Sequence, residues 1–262
     1  MTQLVCALQC DTAQKAKKIY AKTKGWVDVY KIGIDLFVHS GMRLVNQFIK
    51  AGEEIFLDLK LCDIPTVVSR TAETIAKAKV KMFTIHTMGG YEMMKLCREH
   101  LLEYCEKKHI KKRPLIIGVT ILTSISELDF SNLWNTKNME LSSHILRLAS
   151  LAKKAGIDGV VCSAHEIKMI KKECGPDFLT IVPGIRLSSP KTDLDKKPLQ
   201  ADEERTKLLI EDQKRAASAE QAARFGADYI VVGRPILRAE DPISVIEQIQ
   251  TEIKKGWQNQ ER

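Results

Sequence analysis

The stretch Phe56-Leu57-Asp58-Leu59-Lys60-Leu61-Cys62-Asp63-Ile64-Pro65 sets three ionisable side chains within and just beyond an apolar run. Phe, Leu and Ile belong in a core, whereas Asp and Lys enter one only when paired or used. Strand periodicity predicts Asp58 and Lys60 on one face. Asp63 falls where the strand should stop, and Pro65 suits the first turn of a following helix. An isolated Asp-x-Lys is most simply a surface ion pair worth ~0–1 kcal/mol. A further Asp and Ile-Pro after an otherwise hydrophobic strand point instead to a site. Lys31 stands in a second apolar run, Val29-Tyr30-Lys31-Ile32-Gly33, and needs a carboxylate; the neighbouring run offers Asp58. An ammonium flanked by carboxylates stays protonated and stabilises negative charge developing on a substrate.

Such a row of charges needs rigid elements to hold it. Eight apolar runs recur, at residues 4–8, 29–34, 55–59, 82–86, 115–120, 159–162, 179–182 and 229–232. Amphipathic helical patterns lie between them, at 13–22, 43–50, 67–78, 92–107, 142–155 and 219–225. Gly25, Gly52, Gly156 and Gly226 look like helix C-caps. Alternating strands and helices, with near-continuous apolar strands, predict a parallel sheet. Eight repeats in 262 residues predict an α/β fold, a (β/α)8 TIM barrel in one domain. No Gly-x-Gly-x-x-Gly follows the first run, which weighs against a dinucleotide-binding sheet.

Barrels of this kind keep their chemistry at the carboxyl ends of the strands. The fifth run leads to Leu122-Thr123-Ser124, the seventh to Pro183-Gly184-Ile185-Arg186 and the eighth to Gly233-Arg234-Pro235. Loops after strands seven and eight commonly bind phosphate. Gly233 lets backbone N–H groups approach an anion, and Arg234 supplies a charged fork. Residues 187–212 are polar, charged and too long for an ordinary barrel loop, which predicts a lid.

Taken together, Lys31, Asp58-x-Lys60-x-x-Asp63-Ile64-Pro65-Thr66, Val119 to Ser124, Pro183 to Arg186, Asp212-Gln213 and Val231 to Pro235 resemble the motifs of the orotidine 5′-monophosphate decarboxylase family, in the family's order. The resemblance implies loss of the orotate carboxyl as CO2 to give uridine 5′-monophosphate, the last step of de novo pyrimidine synthesis, without metal or organic cofactor. It implies Lys60 as proton donor to C6, Asp58 against the substrate carboxylate, and Lys31 on a ribose hydroxyl. It implies a homodimer in which Asp63 and Thr66 reach the neighbouring site. Thr123 and Ser124 would meet the pyrimidine, and Arg186, Gln213, Gly233 and Arg234 the phosphate.

Two positions depart from the family's pattern. The first strand reads Ala7-Leu8-Gln9, with Gln9 where family members carry an Asp that contacts the ribose. Asp11 shares its strand parity and substitutes if the strand continues that far. Arg186 and Gln213 are also unusually far apart, so the lid carries an insertion. Two other readings stay open: a Mg2+-dependent sugar-phosphate decarboxylase or aldolase of the same barrel group, and an inactive phosphate-binding barrel.

Composition narrows the partners. The net charge is +8, but the lysines spread along helices and aromatics are only 6%, so nucleic acid is not an expected ligand. No apolar run reaches the ~18 residues of a membrane span. The first residues lack a signal-peptide pattern, so a cytoplasmic protein is expected. Seven cysteines, Cys6, Cys10, Cys62, Cys97, Cys105, Cys162 and Cys174, include no Cys-x-x-Cys and read as reduced thiols.

Overall fold

The eight apolar runs form the staves of a closed barrel of parallel strands in a computed structural model, which describes residues 1–134, 140–187 and 216–259. The first half runs β1 (Gln3–Leu8), α1 (Ala13–Thr23), β2 (Val29–Gly33), α2 (Ile34–Lys50), β3 (Ile55–Leu61), α3 (Pro65–Ala78), β4 (Met82–His86) and α4 (Gly90–Lys107). Then come β5 (Leu115–Val119), α5 (Glu127–Trp134), α6 (Leu141–Lys154), β6 (Gly159–Val161), α7 (Ile167–Cys174) and β7 (Leu179–Val182). A short parallel pair, β8 (Ile185–Arg186) and β9 (Ala217–Ser218), flanks the predicted lid. The chain closes with α8 (Ala219–Phe225), β10 (Tyr229–Val232), α9 (Arg234–Leu237) and α10 (Pro242–Gln258). Around the barrel the order is β1, β10, β7, β6, β5, β4, β3, β2, and β2 returns to β1.

Strand alternation divides the apolar residues between two cores. Val5, Ala7, Val29, Phe56, Met82, Ile117, Ile181, Tyr229 and Val231 pack together as the barrel's interior plug. The alternate residues, among them Leu4, Cys6, Tyr30, Leu57 and Phe83, face the helices in a larger shell. At the amino end, three aspartates each precede a strand and accept a backbone N–H from its neighbour. Asp28 takes Leu4, Asp158 takes Ile116 and Asp228 takes Thr180, at 2.7, 2.8 and 2.7 Å. Arg113 grips Asp158 with both guanidinium nitrogens, at 2.7 and 2.8 Å. This end serves stability.

The last helix locks the ring. Gly256 of α10 lies so close to α8 that a Cβ there would stand 2.4 Å from the Glu220 carbonyl oxygen and 2.9 Å from the Arg224 nitrogen. Both obstacles are backbone, so neither can step aside. Gly256→Ala is therefore expected to lower stability by about 1–3 kcal/mol, read as a fall in the urea midpoint.

Several boundaries differ from the sequence expectations. Ile34 opens α2 rather than ending β2, because Gly33 turns the chain into the helix as its N-cap. That helix extends well before residue 43, with a break at Gly41 (φ 57°). β5 and β6 each stop one residue early, whereas β3 runs on to Leu61. Pro65 does open α3. Gly226 is the left-handed C-cap of α8, while Gly25, Gly52 and Gly156 lie one residue past their caps, also at positive φ. All seven cysteines are free, and only Cys62 is exposed. The lid, with Asp212 and Gln213, lies almost wholly outside the described residues.

Candidate active site

The interior parity of three adjacent strands brings the polar groups together. Two residues beyond the plug residues Val29, Phe56 and Met82 stand Lys31, Asp58 and Thr84. Each strand therefore changes from apolar to polar as it approaches its carboxyl end, where side chains converge above a dry floor.

Asp58 is the hub. Its Oδ2 accepts from Lys31 Nζ at 3.0 Å, and its Oδ1 accepts from Lys60 Nζ at 2.9 Å and from Thr84 Oγ1 at 3.0 Å. Burial works to raise the Asp58 pKa, but the two ammonium groups and their hydrogen bonds overcome it and bring it down to about 2. The carboxylate is thus fully charged at neutral pH. The Lys31 and Asp58 side chains are 12% and 11% exposed, against 39% for Lys60. Lys60 is therefore the charge that faces the opening.

Simple alternation does not place Lys60 there. Register between β3 and β4 shifts between Leu57 and Leu61, and Lys60 itself adopts φ 51°. A left-handed lysine costs on the order of 1–3 kcal/mol and persists only where its surroundings hold it. His86, the last residue of β4, has its pKa lowered by burial and then by the Lys60 charge. Its Nδ1 accepts from the Met88 N–H at 3.3 Å, which leaves Nε2 to carry the proton of the neutral ring.

The remaining candidates lie around the rim. Asp63 is exposed, its Oδ1 accepting only from the next N–H, that of Ile64, and among the described residues it forms no ion pair. Thr66 is exposed in the first turn of α3. Thr123 and Ser124 occupy a turn after β5, and Arg186 ends β8. Gly233 is the N-cap of α9 and Arg234 its first residue. Gln9 lies just beyond β1, and its Oε1 is 2.8 Å from where a Cβ on residue 233 would sit. Because β1 ends at Leu8, Asp11 does not continue the strand; it pairs with Lys15 of α1 at 2.8 Å instead.

A profile of the orotidine 5′-phosphate decarboxylase / HUMPS family matches residues 2–249. The chain belongs to that family. Among the relatives of this orotidine 5′-phosphate decarboxylase / HUMPS family member, the orotidine 5′-phosphate decarboxylase of Syntrophus aciditrophicus is 38% identical over 232 residues, 88% of this chain and 84% of its own length. That of Saccharophagus degradans is 37% identical over 254 residues, 97% of this chain and 96% of its own. The crystal structure of the orotidine 5′-phosphate decarboxylase from Lactobacillus acidophilus matches with a TM-score of 0.78 at 31% identity, covering 97% of this chain and 99% of that one. The family's chemistry classes the chain as a carboxy-lyase.

Within this family member, reasoning from sequence missed Thr84 and His86. Both are polar residues at alternate positions of a short buried strand, beside Met82, and that misfit was the available signal. Among the described residues, no group of three His, Cys, Asp or Glu side chains converges as a metal site. No helix among them is long and apolar enough to cross a membrane.

Proposed function

We propose that this chain converts orotidine 5′-monophosphate to uridine 5′-monophosphate and CO2, as the last step of pyrimidine nucleotide synthesis in the cytoplasm, without metal or organic cofactor. One observation carries the reading: a fully charged Asp58 clamped between Lys31 and Lys60 at the mouth of the barrel. The bond from C6 to the carboxylate breaks and its electron pair stays on C6. Lys60 lies where its ammonium stabilises that charge and delivers the proton, and the amine left behind then takes up a proton from solvent to restore the ammonium. Asp58 faces the departing carboxylate and keeps Lys60 fixed, so little reorganisation accompanies the step. Lys31 meets a ribose hydroxyl, with Gln9 beside it in place of the family's acid. Thr123 and Ser124 meet the base.

The phosphate end falls to Gly233, Arg234, Arg186 and Gln213, far enough from C6 that its binding energy serves the reacting centre. Gly233→Ala tests this grip. Its Cβ would displace the flexible end of Gln9 rather than backbone, so the fold should hold. The KM for orotidine 5′-monophosphate is expected to rise roughly tenfold, as for a weakened charge-assisted hydrogen bond.

The working unit is a homodimer. Ile34, Val38, Ile64, Met88 and Leu122 are exposed apolar residues following the ends of β2, β3, β4 and β5, neighbouring staves of one rim. A second copy covers this arc and receives Asp63 and Thr66, which flank Ile64. Mixed Lys60→Ala and Asp63→Ala chains test the exchange. Half of the resulting dimers hold one intact site, so about a quarter of wild-type activity should return. A mixture no more active than either parent places Asp63 in its own chain's site.

The activity itself is tested by following the ultraviolet absorbance of orotidine 5′-monophosphate with purified protein in excess EDTA. Steady loss of substrate supports the reading. Turnover that requires Mg2+ favours a sugar-phosphate enzyme, and tight nucleotide binding without CO2 release favours an inactive barrel.

A further inference from the structure

Thr84 is fully buried, at 0% exposure, on the strand next to the charge row. A hydroxyl at such a position is costly unless it is bonded, and this one is bonded on both sides. Its Oγ1 donates to Asp58 Oδ1 at 3.0 Å and accepts from the Lys60 backbone N–H at 2.8 Å. Its place in the register explains why. Leu57 pairs with Phe83 and Leu61 with Ile85, so Asp58, Leu59 and Lys60 all stand opposite Thr84 alone. Such a bulge leaves N–H groups without ladder partners and re-aims the side chains it carries. The Thr84 hydroxyl takes the place of the missing carbonyl at Lys60, the one bulge residue at positive φ.

We propose that Thr84 is the positioning residue of this site: its hydroxyl fixes the left-handed turn at Lys60 and the orientation of Asp58 together, so that the ammonium is held at the reacting carbon. The inference rests on the decarboxylase reading above. Thr84 touches no substrate; it acts through the two residues that do. A mere filler of the β4 interior would tolerate an isosteric apolar residue. A positioning residue would not, because a misplacement of about 1 Å costs on the order of 100-fold in rate.

The test compares Thr84→Val, which keeps the shape and removes the hydroxyl, with Thr84→Ser, which keeps the hydroxyl and removes a methyl. For Val, kcat is expected to fall about 100-fold, with KM within about threefold of wild type, since the phosphate grip is untouched. Ser is expected to recover most of kcat. Should the Val chain not fold, Thr84→Cys, of similar size and weak hydrogen bonding, enters the same comparison. A folded Val or Cys variant with wild-type kcat, or a Ser variant as slow as either, overturns the role of Thr84. Wild-type protein that leaves orotidine 5′-monophosphate untouched removes the decarboxylase reading and this proposal with it. An active wild type beside an equally active Val variant removes Thr84 alone.

Discussion

Replacing Lys60 by alanine is expected to lower turnover of orotidine 5′-monophosphate by roughly 10^4-fold or more while the barrel stays folded. Proton delivery by a placed group is worth roughly 10^2–10^4 and fixed charge at the transition state roughly 10^2–10^3. One ammonium supplies both. The fold should survive because Lys60 is more exposed than Lys31 or Asp58, and Asp58 keeps Lys31 and Thr84 as donors. The check is the absorbance assay at high enzyme concentration, beside a thermal melt of the same sample. A variant with wild-type turnover removes Lys60 from the chemistry.

Asp58→Asn should harm both activity and stability. The amide keeps the shape but leaves Lys31, 12% exposed, without its counter-charge. Breaking a buried pair in this way costs about 3 kcal/mol. Lys60 loses its anchor at the same time, so kcat should fall roughly 10^3-fold, adding lost positioning to lost electrostatics. The pH dependence gives a second signature. With its pKa lowered to about 2, Asp58 contributes stability that is complete above the ordinary carboxylate range near ~3.9. That contribution is lost as pH falls towards 2, because only the unfolded chain takes up the proton first. Between those limits, wild-type stability should fall more steeply than that of the variant, by up to about 1.4 kcal/mol per pH unit. Urea titrations at pH 4, 3 and 2 measure the two slopes. Parallel curves would mean that Asp58 is not held by its neighbours in solution.

The barrel was legible because its strands are apolar on both faces and its helices on one, a pattern that repeats eight times. The charge row was legible for a related reason: Lys31 and Asp58 are the wrong residue types for the strands that contain them. Other features are set by contacts far apart in the chain. α10 was missed, although Gly256 against α8 and the Trp257 indole donating to Thr2 at 2.9 Å help to close the ring. Strand alternation put Lys60 beside Asp58, yet the true cause is a bulge and a left-handed backbone, which no local pattern of Leu and Lys announces. Thr84 gave only a weak misfit because threonine is an ordinary strand former, and only register shows what its hydroxyl faces. Gln9 was seen as a departure, but its packing against Gly233 depends on β1 and β10 being neighbours across the closure.

The most direct measurement is a crystal structure of the protein with uridine 5′-monophosphate bound. The Lys60 amine should lie about 3 Å from C6 of the pyrimidine, a distance for proton transfer, with Arg234 on the phosphate and the partner chain's carboxylate closing the row. A pyrimidine whose C6 lies out of reach of that amine, or a nucleotide seated away from the mouth of the barrel, would contradict the account.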